Sequence, residues 1–214
     1  MTLEEASVRS VRIANIPLGE LFSQEEMAYA FMDKGKIGKL LERALGLQNG
    51  TSNLDFIDGE LKSNKCKFSG EPSETIAITQ ISSHIEELIA CKPFKETWLY
   101  EKISNILYVP VYREGAVKDW FFFPSIHIDL SLSKYYKILL QLEEDYNNIC
   151  AMIRKTCEEG KQLSTINGKY IQVRTKDSAP YHPIYSSSYG YNISDKNRAF
   201  YFKKDFIKAI REVS

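Results

Sequence analysis

The sequence predicts a mixed α/β fold, a sheet flanked by helices, and three observations carry that expectation. Short β-branched runs such as ETIAITQI (74–81) and KYIQVRT (169–175) read as strands. Apolar residues recur at helical spacing through 23–45 and again through 131–159. The 214 residues are 43% hydrophobic and 26% charged, enough for one sizeable core or two small ones.

The elements follow in order. Met27, Ala30 and Phe31, then Ile37, Leu40, Leu41, Ala44 and Leu45, form the apolar faces of two helices broken by DKGK (33–36). Gly46 is placed to stop the second helix, and QNGTSN (48–53) is a turn-rich loop. FIDGELKSNKCKF (56–68) alternates as a strand, and the 74–81 run is its natural partner. A helix is expected at about 97–105, followed by strands at 105–112 and 119–130, each containing a proline. The longest helix fills 131–159 and ends at Gly160. A strand over 169–175 leads into a polar, tyrosine- and serine-rich loop at 177–197. AFYFKK (199–204) resumes as a strand, and a closing helix follows with Asp205 as candidate N-cap.

Composition narrows the class of protein. No window approaches eighteen consecutive apolar residues, and MTLEEASVRSVR lacks the basic-then-apolar pattern of a signal peptide. The expectation is a cytoplasmic protein with no membrane partner. Cys66, Cys91, Cys150 and Cys157 form no CxxC pair, and with only His84, His127 and His182 a zinc site is not expected. Reduced, packed thiols are. Net charge is zero, with 28 basic and 28 acidic residues, so bulk charge does not point to nucleic acid. The distribution is uneven, however: KGKIGK (34–39), KYIQVRTK (169–176) and FKK (202–204) are basic, which permits a local positive groove.

One short constellation carries chemistry. In LDFIDGELKSNK (54–65), Asp55 is followed by Glu60-Leu61-Lys62. Residues i and i+2 of a strand share a face, so Glu60 and Lys62 project together while Leu61 packs behind. Asp55 can bend in across the turn at Gly59. Hard divalent cations prefer carboxylate, carbonyl and water oxygens, which makes Asp55, Glu60 and the Leu61 carbonyl a candidate metal set. Lys62 would orient or help deprotonate an attacking water, or stabilise charge building on phosphorus. Acid-x-Lys triplets also arise on ordinary solvated strand edges. Glu42, on the helical run GKIGKLLERALG, supplies a third carboxylate; its bland alternative is an ion pair with Lys39 or Arg43.

These residues resemble the MutH-type DNA endonucleases, a family that includes the mismatch-repair nicking enzyme and restriction enzymes cutting at GATC. The family combines a KG-x-x-G-x-LLE-x-x-LG helix with D-F…ELK. Here the matching residues are Lys34-Gly35, Gly38, Leu40-Leu41-Glu42 and Leu45-Gly46, then Asp55-Phe56 and Glu60-Leu61-Lys62. IANIPLGEL (13–21), PSETIAITQI, EKISNILYVPV, KYIQVRTK and AFYFKKDFIKAI continue the resemblance in order over most of the chain. It implies one endonuclease domain over 1–214 of the PD-(D/E)xK, restriction-endonuclease-like fold, with two lobes around a DNA cleft. The catalytic part would lie at about 20–130 and the DNA-recognition part at about 160–214.

The resemblance also implies roles. Asp55, Glu60 and Lys62 match the catalytic set, Glu42 the helix carboxylate, and Lys102 a further lysine near the active site. Asp55, Glu60, Glu42 and the Leu61 carbonyl would hold Mg²⁺, with Mn²⁺ a substitute and Ca²⁺ supporting binding without cleavage. Lys34 and Gly35 match a loop approaching DNA, Arg174 an arginine reading guanine, and Tyr201 a tyrosine near the adenine. Thr175 and Lys176 adjoin the reading arginine, and Lys203 and Lys204 would contact phosphates. The sequence departs from the mismatch-repair pattern in several features, among them the tyrosine-rich character of the 177–197 loop. The Asp55–Glu60 gap is two residues shorter, Thr175 stands where a proline follows the arginine, and Ala77 where an aromatic contacts DNA.

The leading expectation is a type II restriction endonuclease acting on double-stranded DNA as a monomer or DNA-bound dimer, with a cognate methyltransferase as genetic partner. The richness in Lys, Ile, Tyr and Asn leans the same way. A mismatch-repair nickase is one alternative. A DNA-binding module of the same fold without cleavage is another, although all four active-site residues are present.

Overall fold

Thr2 opens the first helix with a reciprocal cap: its hydroxyl accepts the Glu5 N–H (3.2 Å), while the Glu5 carboxylate accepts the Thr2 N–H (2.8 Å). The computed structural model describes residues 1–31, 36–47 and 54–214. In chain order these are α1 (Leu3–Val11), α2 (Leu18–Leu21), α3 (Gln24–Phe31), α4 (Lys36–Leu45), β1 (Glu60–Lys62) and β2 (Lys65–Cys66). Then come β3 (Ile76–Gln80), α5 (Ile85–Ala90), α6 (Trp98–Ile103), β4 (Asn105–Tyr108), β5 (Val111–Tyr112), β6 (Phe121–Phe122) and β7 (Ile126–Asp129). The long α7 (Tyr136–Glu158) precedes β8 (Ile166–Asn167), β9 (Ile171–Thr175), β10 (Ile184–Ser186), β11 (Tyr191–Ser194), β12 (Arg198–Phe202) and α8 (Lys204–Val213). The fold is mixed α/β, with sheets flanked by helices. Among the described residues no helix is long and apolar enough to cross a membrane.

The chain forms two compact units. The first comprises Met1–Glu74 and Ser104–Asp129, with Ser214; the second comprises Thr75–Ile103 and Leu130–Val213. In the first unit, three chain segments run side by side twice over. β1 pairs parallel with β4 and β4 antiparallel with β7; β2, β5 and β6 repeat that arrangement further along. Single bonds stitch the two sheets together, Val109 N–H to the Lys62 carbonyl (2.8 Å) and Val111 N–H to the Asn64 carbonyl (3.0 Å). The breaks have a cause: Pro110 has no N–H to donate, and Pro124 interrupts the third segment. Leu3, Leu41, Leu45, Leu61, Leu107 and Phe122 belong to the core that backs these strands.

The second unit holds an antiparallel sheet in the order β3-β12-β9-β8. Its strands alternate. Ile76, Ile78, Ile171, Val173, Phe200 and Phe202 are buried on one face, with Ala77, Gln172, Arg174 and Tyr201 on the other. Asp145 of α7, itself only 2% exposed, ties the turn before β9 by accepting the N–H groups of Lys169 (2.8 Å), Tyr170 (2.5 Å) and Ile171 (3.0 Å). Gly168 is required there, because a Cβ would stand 2.5 Å from the Asp145 Cγ.

Several expectations are corrected. The strand expected over 56–68 is limited to β1 and β2, because 54–58 form bends, and the 74–81 run expected as its partner pairs instead with β12 in another sheet. The strands at 105–112 and 119–130 are each split at their proline. The 177–197 stretch is not a bare loop: β10 and β11 pair as an antiparallel hairpin with a register shift. Asp205 lies inside the first turn of α8 rather than capping it, where its charge suits the positive end of the helix. Helices α1, α2 and α5 have no counterpart in the sequence reading. All four cysteines are free, with Cys66, Cys150 and Cys157 buried, and burial pushes the Cys150 thiol up to about 12.

Candidate active site

The D-x4-E-x-K residues meet at the start of β1. A tight turn, closed by Phe56 N–H to the Gly59 carbonyl (2.9 Å), folds Asp55 back on the strand. Its carboxylate then accepts the Leu61 N–H at 2.9 Å. The turn is fastened on both sides: Asp58 accepts the Leu3 N–H at the start of α1 (2.8 Å), and the Asn105 amide donates to the Asp58 carbonyl (2.7 Å). Gly59 is fixed by space, since a Cβ would lie 2.5 Å from the Asn105 carbonyl oxygen. Phe56 is 4% exposed and anchors the turn in the core.

β1 presents its side chains as alternation requires. Leu61 packs into the core, while Glu60 and Lys62 share the other face and form a close ion pair. The Lys62 ammonium also stands 4.0 Å from the Asp55 carboxylate, and its side chain is only 12% exposed. One cation is therefore held by two carboxylates in a largely enclosed place.

Glu42 reaches the same electrostatic neighbourhood from α4. That helix buries Ile37, Leu40, Leu41 and Leu45 and ends at Gly46 in the left-handed conformation (φ 78°). Leu47 N–H bonds the Glu42 carbonyl (2.8 Å) and Gly46 N–H the Arg43 carbonyl (2.9 Å), a Schellman ending that fixes the last turn carrying Glu42. Burial first, and then the Asp55 charge, raise the Glu42 carboxyl above its ordinary range, against the opposing pull of Lys39 and Lys62. Arg43 is not its partner; the guanidinium pairs with Glu26 at 2.7 Å.

Among the described residues, no three His, Cys, Asp or Glu side chains stand close enough to form a ready metal site. The donor chemistry nevertheless fits a hard divalent cation: carboxylates and a strand carbonyl, with a positive charge already held between Asp55 and Glu60.

The other expected site residues that the structure describes fall in the second unit. The Arg174 guanidinium lies over the Tyr201 ring, 4.1 Å from its centroid, with Arg174 opposite Ala199 and Tyr201 between Gln172 and Ala77. Thr175 and Lys176 are exposed at the end of β9, and Lys204 is exposed at the start of α8. Lys203 has a structural engagement, its ammonium donating to the Gly168 carbonyl at 2.8 Å. Lys102 belongs to this unit too, with its ammonium 4.8 Å from the centroid of the Trp98 ring. Lys34 and Gly35 lie outside the described residues. The turn at Gly59 was expected from the sequence, but Asp58 and Asn105, which fasten it, were not; the D-G pair was a signal for the turn itself.

No protein-family model and no curated protein matches this chain.

Proposed function

We propose that this protein is a Mg²⁺-dependent, site-specific DNA endonuclease of the restriction type, with a MutH-like PD-(D/E)xK centre. The observation that carries the reading is the convergence of Asp55, Glu60 and Lys62 at the start of β1, within electrostatic reach of Glu42. Asp55, Glu60, Glu42 and the Leu61 carbonyl would hold the metal. When bound, it would supply a more acidic water and a counter-charge for the leaving oxygen.

The remaining work belongs to the chain's own groups. Asp55, bonded to the Leu61 N–H, is pinned against the strand and adds no freedom to the site. Lys62, on the same face as Glu60, is placed to orient the attacking water or to donate to a phosphoryl oxygen. The partly exposed side of this cluster, where Asp55 is 38% accessible, is where a phosphodiester can approach. In the second unit, Arg174 presents the planar donor fork that matches guanine O6 and N7, and its stacking on Tyr201 restricts its orientation.

The test is incubation of unmodified plasmid with protein and Mg²⁺, with Glu60→Ala as control. Discrete linear fragments from wild type alone support a restriction activity. Open circles would move the assignment to strand nicking, and a gel shift with neither product would leave a binding module.

A further inference from the structure

Residues 176–197 are held more firmly than a surface connection requires. At the base of the stretch, Asp177 accepts the N–H groups of Ser178 (3.0 Å), His182 (2.7 Å) and Asn197 (2.7 Å), and the His182 Nδ1–H at 2.9 Å. The His182 ring contact, followed by these backbone groups, holds the Asp177 carboxyl well below the usual range. At the tip, Glu86 of α5 accepts the Ser186 hydroxyl (2.9 Å), the Ser187 N–H (2.7 Å) and the Ser188 hydroxyl. Burial works against the Glu86 charge, yet the serine donors outweigh it and its carboxyl is lowered as well. Two ionised carboxylates thus clamp the β10–β11 hairpin, whose inner residues Ile184 and Ile193 are 1% and 0% exposed.

Among the groups this stretch offers to solvent are aromatic rings and ammonium groups. Tyr181 and Tyr185 are 52% and 58% exposed. The Lys196 ammonium lies 4.1 Å from the centroid of the Tyr181 ring. Lys176 is brought beside this pair, because its N–H bonds the Asn197 carbonyl (3.0 Å), and Arg174 is two residues back along β9. The cations near this pair are Arg174, Lys176 and Lys196; of the two acids in the stretch, Asp177 is enclosed by donors and Asp195 is exposed beside Lys196. Ammonium groups held beside exposed tyrosine rings offer donors to anionic oxygens, which suits a phosphate backbone rather than a basic or apolar partner.

We infer that Tyr181 and Lys196, together with Lys176, form a phosphate-gripping wing that holds duplex DNA beside the bases facing Arg174. The inference rests on the DNA-cleaving reading and adds to it a sequence-independent anchor. Such contacts set affinity and register without choosing bases.

The experiment is fluorescence anisotropy of a short labelled duplex of random sequence with full-length protein in Ca²⁺, titrated across a salt series. Wild type should bind with a steep salt dependence. Lys196→Ala should reduce the log–log salt slope by about 1 and weaken binding alike for different sequences, and Tyr181→Ala should weaken it in the same uniform way. Lys196→Arg should restore the slope, which separates a charge contact from a packing role. Lys134→Ala, an exposed lysine before α7, is the control for net charge. The wing is overturned if Lys196→Ala follows the Lys134→Ala curve, or if Lys196→Arg fails to restore the slope. Absence of duplex binding by wild type itself would instead remove the nuclease reading, and the wing with it.

Discussion

Single residues decide whether the turn that carries Asp55 can form. Gly59 is the clearest case, for the obstacle to a side chain there is backbone: the Asn105 carbonyl at 2.5 Å, with Leu3 Cδ1 at 2.8 Å behind it. Gly59→Ala must push β1 away from β4 or tilt the turn that delivers Asp55. A loss of roughly 1–3 kcal/mol is expected, read as a lower urea midpoint. DNA cleavage should fall together with it, since the Asp55–Leu61 bond depends on the same turn. Full stability in the variant would mean that the turn is held by something other than this contact. Glu42 works differently. Its raised carboxyl reflects burial beside Asp55, a cost that the fold tolerates where a cation is expected to offset it.

Buried or enclosed carboxylates hold the ends of two elements: Asp145 the turn before β9, and Asp177 the base of the β10–β11 stretch. Asp145→Ala would leave the Lys169, Tyr170 and Ile171 N–H groups without their acceptor, so about 3 kcal/mol or more should be lost in chemical denaturation. A near-neutral result would show that water replaces the carboxylate. The Asp177 clamp predicts a pH dependence. Its pKa is lower in the native state than unfolded, so the native state binds fewer protons; the clamp contributes fully above about pH 4 and fades as pH falls below that. Asp177→Asn should therefore flatten the acid limb of a melting-temperature profile, and an unchanged limb would contradict the clamp.

Much of the element pattern was legible because local signals and tertiary context agree. The apolar stripe and Gly46 mark α4 and its end, and the long periodic run marks α7. Other elements were not, each for a physical reason. The Thr2–Glu5 capping box does mark α1, but a first helix of nine residues offers little periodicity to support it. Pro110 and Pro124 cut strands whose hydrophobicity runs straight through them. The β10–β11 hairpin is hidden by serine and tyrosine, and its tip is fixed by Glu86, about a hundred positions away, which no local pattern reveals. The Asp55–Glu60–Lys62 set was readable as a spacing. Its fastening by Asp58 and Asn105 was not.

Across the whole molecule, the residues assigned to chemistry and those assigned to base reading lie in different compact units. Asp55, Glu60, Lys62 and Glu42 are in the first, and Arg174, Tyr201 and the clamped hairpin are in the second. Such a division predicts that the two activities can be separated by substitution. The most direct measurement pairs two readouts on Lys62→Ala: cleavage of unmodified plasmid in Mg²⁺, and duplex affinity in Ca²⁺. The account predicts that cleavage is abolished while affinity stays close to wild type. Cleavage retained near the wild-type rate, with Lys62 gone, would contradict it.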